Sequence, residues 1–66
     1  MRKIKEWRAL REVSQREAAR RAGIRQQTWS DIENGYTARP HPFTLKAIAR
    51  TLRCRVEDLD QRPPEN

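Results

Sequence analysis

Apolar positions recur along the 66-residue chain at helical rather than strand spacing, and the places where the spacing breaks divide it into short segments. Ile4, Trp7 and Arg11, with Arg8 beside Trp7, predict an amphipathic first helix over residues 3–11. Ser14-Gln15-Arg16-Glu17 has the spacing of a capping box, in which the Ser14 hydroxyl and the Glu17 carboxylate each satisfy an amide at a helix start. A second helix is predicted from Gln15 to Ala22, closed by Gly23, which suits the left-handed conformation that ends many helices. The segment from Arg25 to Asn34 is a third helix, stopped by Gly35. On it Trp29, Ile32 and Glu33 share one face, while Gln26, Gln27, Ser30, Asp31 and Asn34 point elsewhere. Tyr36 to His41 reads as a loop. Pro42 can take the first turn of a fourth helix, whose inward stripe is Leu45, Ile48, Ala49 and Leu52. Val56 to Leu59 makes a last short turn of helix, and the chain from Asp60, with Pro63-Pro64, reads as a frayed tail.

Length and composition limit what such a bundle can do. A chain this short buries only about 60% of its unfolded surface, which leaves one core and no deep active-site cleft. With neither a nucleophile-base pair nor a phosphate loop, an enzyme is not expected. Cys54 is the sole cysteine and His41 the sole histidine. An internal disulfide is therefore excluded, and no metal, cofactor or small-molecule ligand is expected. No apolar stretch reaches the roughly 20 residues of a membrane span, and no signal peptide precedes the charged start, so a cytoplasmic protein is expected.

Charge narrows the class of partner. The formal net charge is +6, and residues 1–25 hold nine Lys/Arg against Glu6, Glu12 and Glu17. Twelve of the fifteen cations are Arg, whose planar fork suits phosphates and guanine edges. A basic first half fits a polyanionic partner; Arg-rich base composition of the gene accounts for it equally well.

Two short helices joined by a tight Gly-containing turn, the second with hydrogen-bonding side chains on its free face, describe a helix-turn-helix between Gln15 and Asn34. Ala19 is small where the helices cross, Gly23 makes the turn, and Ile24, Trp29 and Ile32 face the core. The wording then resembles the Cro and phage-repressor (XRE-type) family of DNA-binding proteins. It does so through Val13-Ser14-Gln15-x-Glu17-Ala18-Ala19, Ala22-Gly23-Ile24, Ile32-Glu33-Asn34-Gly35, Arg39-Pro40 and Leu45-x-x-Ile48-Ala49-x-x-Leu52, over about Ile4 to Leu59.

That resemblance implies an all-α, lambda-repressor-like domain of five short helices over residues 1–59, followed by a flexible tail over 60–66. It implies a DNA-binding regulator, a Cro-like repressor, whose partner is a double-stranded DNA operator of two-fold symmetry. The expected oligomer is a weak homodimer, tightened on DNA, with contacts near Arg53, Cys54 and Val56. The source would be a prokaryote or phage and the protein nucleoid-associated. Base-reading roles fall to Arg25, Gln26, Gln27, Ser30 and Asp31, the glutamines first because an amide donates and accepts at once. Phosphate contacts fall to Ser14, Gln15, Arg16, Asn34, Thr37 and Arg39. Capping or solvent exposure also explains Gln15 and Asn34, and a solvated face explains Arg16, Arg20 and Arg21. Tyr36 either touches the sugar-phosphate backbone or stands free. Arg8 and Glu33 correspond to a buried ion pair that sets the angle of the third helix, and Trp7, Trp29 and Cys54 read as core. Glu12 and Arg53 occupy positions where the family often has Gly. A rival reading is a protein-interaction module, such as an antitoxin that also binds DNA; the short tail counts against it.

Overall fold

Cap chemistry written into the chain sets the helix boundaries in the computed structural model, which describes residues 1–61. The helices are α1 (Ile4–Arg11), α2 (Gln15–Ala22), α3 (Gln26–Glu33) and α4 (Pro42–Leu52). Glu12, Gly23 and Arg53 follow α1, α2 and α4 in the left-handed conformation, at φ 55°, 74° and 56°. In each case the next amide reaches back five residues, Val13 to Arg8, Ile24 to Ala19 and Cys54 to Ala49, at 3.0–3.1 Å. This double closure satisfies carbonyls that would otherwise be orphaned at the helix end. At the N-termini, Ser14 Oγ accepts from the Glu17 amide at 3.1 Å and His41 Nδ1 from the Phe43 amide at 3.2 Å.

Several expectations need correction. Lys3 lies just outside α1, with its amide held by the Glu6 carboxylate at 3.0 Å. Arg25 and Asn34 flank α3 as caps. The capping box at Ser14 is half formed: the Glu17 carboxylate turns instead to Arg20 Nε (3.0 Å) and Arg21 Nε (2.8 Å). Two cations one turn along attract a carboxylate more strongly than one neutral amide does.

The fifth helix is not an α-helix. Val56–Asp58 makes one 3-10 turn, closed by the Asp58 amide on the Arg55 carbonyl at 2.9 Å. The chain then extends because Leu59 enters the core and its backbone pairs with the N-terminus. Strands β1 (Arg2–Lys3) and β2 (Leu59–Asp60) run parallel, with Arg2 opposite Leu59 and Lys3 opposite Asp60. The domain is therefore helical except for this two-residue ladder. Asp60, expected to begin the tail, is a buried residue of β2; the expected tail over 62–66 lies outside the described residues.

Trp29, Ile48 and Leu52 are the largest wholly buried side chains. Ala18 and Ala19, also buried, let α2 lie against both α3 and α4. Trp7 is buried too, and its indole Nε1 donates to the Asp58 carbonyl at 3.1 Å. Arg11 Nε donates to the Leu52 carbonyl at 2.7 Å, so α1 also caps the end of α4. Cys54 is half-buried against the core, and burial, with the Asp58 charge, pushes its thiol up, away from reactive thiolate. Among the described residues no helix is long and apolar enough to cross a membrane, and no His/Cys/Asp/Glu group is arranged to hold a metal.

The left-handed caps yield a test of opposite signs. Relieving the side-chain clash at φ > 0 outweighs the extra freedom glycine gives the unfolded chain. Glu12→Gly and Arg53→Gly should each stabilise the domain by about 0.5–1 kcal/mol, a rise of a few degrees in Tm. Gly23→Ala should destabilise it by about 1 kcal/mol. A Cβ at Gly23 would meet nothing within 4 Å, so that loss would be purely one of backbone conformation. Thermal melts that moved all three variants in one direction would contradict this account.

Candidate nucleic-acid interface

An eight-residue helix is about 12 Å long, close to the roughly 12 Å width of the B-DNA major groove. α3 owes its placement to its underside. Trp29 is wholly buried and Ile32 packs against the core cluster, so residues on the opposite side of the helix stand outward. Ile24, in the turn before it, is a further partly buried anchor.

At the last turn of α3 a single carboxylate gathers donors from three helices. Glu33 accepts from Arg8 Nε (2.7 Å) and Arg8 Nη2 (3.0 Å) on α1, from Gln15 Nε2 (2.9 Å) on α2, and from Trp29 Nε1 (3.1 Å) on α3. Its side chain is 4% exposed and that of Arg8 16%. Arg8 Nη1 also donates to the Val13 carbonyl at 3.1 Å, fixing the α1–α2 turn to the same network. Burial alone would raise the Glu33 carboxyl. The hydrogen bonds from Arg8, Gln15 and Trp29 and the Arg8 charge outweigh that, leaving it below its ordinary 4.5.

The outer face of α3 carries the residues expected to read bases. Arg25, Gln26 and Gln27 are exposed; Ser30 and Asp31 are half-buried. Gln27 Nε2 donates to Asp31 Oδ1 at 2.9 Å, and Asn34 Nδ2 to Ser30 Oγ at 3.2 Å. Two i,i+4 pairs thus lie along this face, while the side chains of Arg25 and Gln26 make no hydrogen bond among the described residues. Gly35, at φ 79°, lets the chain turn back, and the amides of Tyr36 (2.8 Å) and Thr37 (3.2 Å) close onto the Asp31 carbonyl.

The residues expected at phosphates surround this helix in different states. Ser14 Oγ is occupied as a cap, and Gln15 is half-buried with its amide on Glu33. Arg16 and Arg39 are exposed and form no ion pair among the described residues. Arg20 and Arg21 are both bound to Glu17, whose carboxyl the Arg20 and Arg21 hydrogen bonds lower to about 2. Asn34 is exposed; Thr37 is half-buried and lines a small cleft with Ile32 and Pro40. Tyr36 is 80% exposed on the same loop.

Sequence reasoning missed that Gln15 and Trp29 serve Glu33. The Trp29–Glu33 contact was available from i,i+4 spacing, as were Gln27–Asp31 and Ser30–Asn34. The Gln15–Glu33 contact spans 18 residues and has no local signal.

Removing one partner of a buried, hydrogen-bonded pair costs about 3–5 kcal/mol, so Glu33→Gln should strongly destabilise the domain at neutral pH. The depressed carboxyl fixes the pH dependence. On acidification the unfolded chain takes up the proton first, so the stability contributed by ionised Glu33 is complete above 4.5 and is lost as pH falls through the lower folded value. Denaturant titrations should therefore show the gap between wild type and Glu33→Gln widest near pH 7 and narrowing below 4.5. A gap independent of pH would mean that Glu33 acts through packing rather than charge.

Comparison with known proteins reaches the same segment. A helix-turn-helix family profile matches residues 4–59, from the start of α1 to the first residue of β2. No curated protein and no solved structure matches the chain significantly. With α2 and α3 joined at Gly23 and the profile covering most of the sequence, the chain belongs to the helix-turn-helix family of the Cro/C1 (XRE) type.

Proposed function

We propose that this DNA-binding regulator is a repressor of Cro type that binds duplex DNA sequence-specifically, as a homodimer on a two-fold operator. The observation that carries the reading is the outward exposure of Gln26 and Gln27 at the start of a helix whose underside, through Trp29, is wholly buried. An amide edge held rigidly clear of the protein surface can meet adenine N6 and N7 together. Arg25 stands ahead of them for a guanine or a phosphate, and Ser30 and Asp31 lie one turn further along.

Exposed Arg16 and Arg39 are the cations best disposed toward phosphates, since Arg20 and Arg21 already share Glu17. Ser14, Gln15, Asn34 and Thr37 supply neutral donors around α3, Gln15 with the second hydrogen of its amide. One small module buries too little surface for tight specific binding, which favours two copies. The dimer contact is assigned to the turn after α4, at Arg53, Cys54 and Val56. A longest dimension of 27 Å lets neighbouring copies meet successive major grooves, about 34 Å apart.

Selection of bound sequences from random duplex DNA tests the assignment. Wild type should enrich a two-fold motif, and Gln27→Ala should lose information at one position of each half-site. Arg39→Ala should leave the motif intact and reduce the slope of log affinity against log salt by about two, one for each protomer of the dimer. Identical motifs from wild type and Gln27→Ala would refute base reading by that residue.

A further inference from the structure

We propose that Asp31 sets base choice indirectly, as the positioning residue that locks the Gln27 amide and biases it against guanine. The inference rests on the base-reading role given above to α3. Asp31 Oδ1 takes one Nε2 hydrogen of Gln27 at 2.9 Å. The outward edge of the amide is then defined: one carbonyl oxygen and the second N–H. Terminal amide torsions are otherwise broad and two-fold, and a flip exchanges donor for acceptor. Adjacent Gln26 is exposed and has no such tie.

The anchor itself is firm. The Asp31 carbonyl receives the Tyr36 and Thr37 amides at 2.8 and 3.2 Å, which fixes its backbone to the loop that follows α3. No cation forms an ion pair with its carboxylate among the described residues. In a chain of net charge +6, an uncompensated carboxylate on the face turned to DNA opposes the general attraction to phosphate. That cost is intelligible if the charge performs selection.

Two effects of the carboxylate agree in sign. An amide locked with one acceptor and one donor outward matches adenine, which offers N6–H and N7. It mismatches guanine, which offers two acceptors, O6 and N7. The negative charge beside it independently repels the acceptor edges of guanine and thymine and favours the amino groups of adenine and cytosine. Asp31 therefore lowers affinity for DNA in general while raising discrimination at the base that Gln27 meets. A residue needed only for folding would move both quantities downward together when removed.

Asp31→Ala, Asp31→Asn and Asp31→Glu, each also placed in a Gln27→Ala background, test this by sequence selection. The selected duplex is then titrated with each of the four bases at the position that Gln27→Ala relaxes. Asp31→Ala should bind random duplex DNA more tightly than wild type and lose about tenfold in discrimination against guanine, the scale of one good bidentate contact. Asp31→Asn, without the charge, should also bind random DNA more tightly, and Asp31→Glu, which can reach the same amide, should restore discrimination. In the Gln27→Ala background only the weaker effect of the charge remains, so the Asp31 changes should alter base preference by clearly less than with Gln27 present. If they alter it as much, Asp31 acts on the base directly and the inference fails. If Asp31→Ala keeps the wild-type motif unchanged, or Asp31→Asn weakens random and specific binding alike, it also fails while base reading by α3 stands. A wild-type pool without any motif would overturn base reading itself.

Discussion

The orientation of α3 depends on one buried carboxylate. Glu33 brings donors from α1, α2 and α3 to a single point, in a domain whose core is otherwise apolar, built from two tryptophans, four alanines and the aliphatic side chains of Ile4, Ile48, Leu52 and Leu59. Apolar packing of that kind is tolerant of rotation: a helix resting on Trp29 and Ile32 could turn or slide at modest cost. A bidentate guanidinium-carboxylate pair is not tolerant, because its two parallel bonds hold only at one distance and one angle. Buried ion pairs often contribute little net stability over apolar substitutes. The physical role of Arg8–Glu33 is accordingly to choose one orientation of α3 among several that the apolar contacts would permit.

The same network explains why net charge alone is a coarse guide to this protein. Much of the arginine excess is spent inside the molecule. Arg8 holds Glu33, Arg11 closes the end of α4 and lies over the Trp7 ring, and Arg55 pairs with Asp58. Arg20 and Arg21 share Glu17. A count of cations treats all of these as available to a polyanion. Geometry separates them from cations such as Arg16, Arg25 and Arg39, whose charges have no internal partner among the described residues, so fewer charges are free to meet a polyanion than the count suggests.

Legibility in the sequence followed the range of the interaction. The bounds of α2 and the start of α4 could be read because their signals, Ser14, Gly23 and Pro42, are local. The left-handed turns at Glu12 and Arg53 were legible only through family likeness, since neither residue type favours φ > 0. What escaped was non-local. Nothing within Val56 to Asp60 indicates that Leu59 and Asp60 pair with Arg2 and Lys3 across the whole chain, and short apolar runs do not distinguish a helical turn from a strand. Gln15 shows the same limit at the site itself. Its type and position suited a phosphate contact, but its amide is on Glu33, a partner visible only once α2 and α3 are packed.

Those internal bonds also bear on how a domain this small could bind selectively. Long polar side chains lose rotamer freedom when they meet a ligand, at about 0.5–1.5 kcal/mol each. On α3 part of that ordering is already present in the free protein, because Gln27 is tied to Asp31 and Asn34 to Ser30. The backbone beneath them is fixed in turn by Glu33 below and by the Tyr36 and Thr37 amides behind. An interface that cannot grow in area can still gain selectivity by arriving with its donors and acceptors already arranged. In this chain the arrangement passes from Arg8 through Glu33 to the helix, and from Asp31 to the amide at its outer edge.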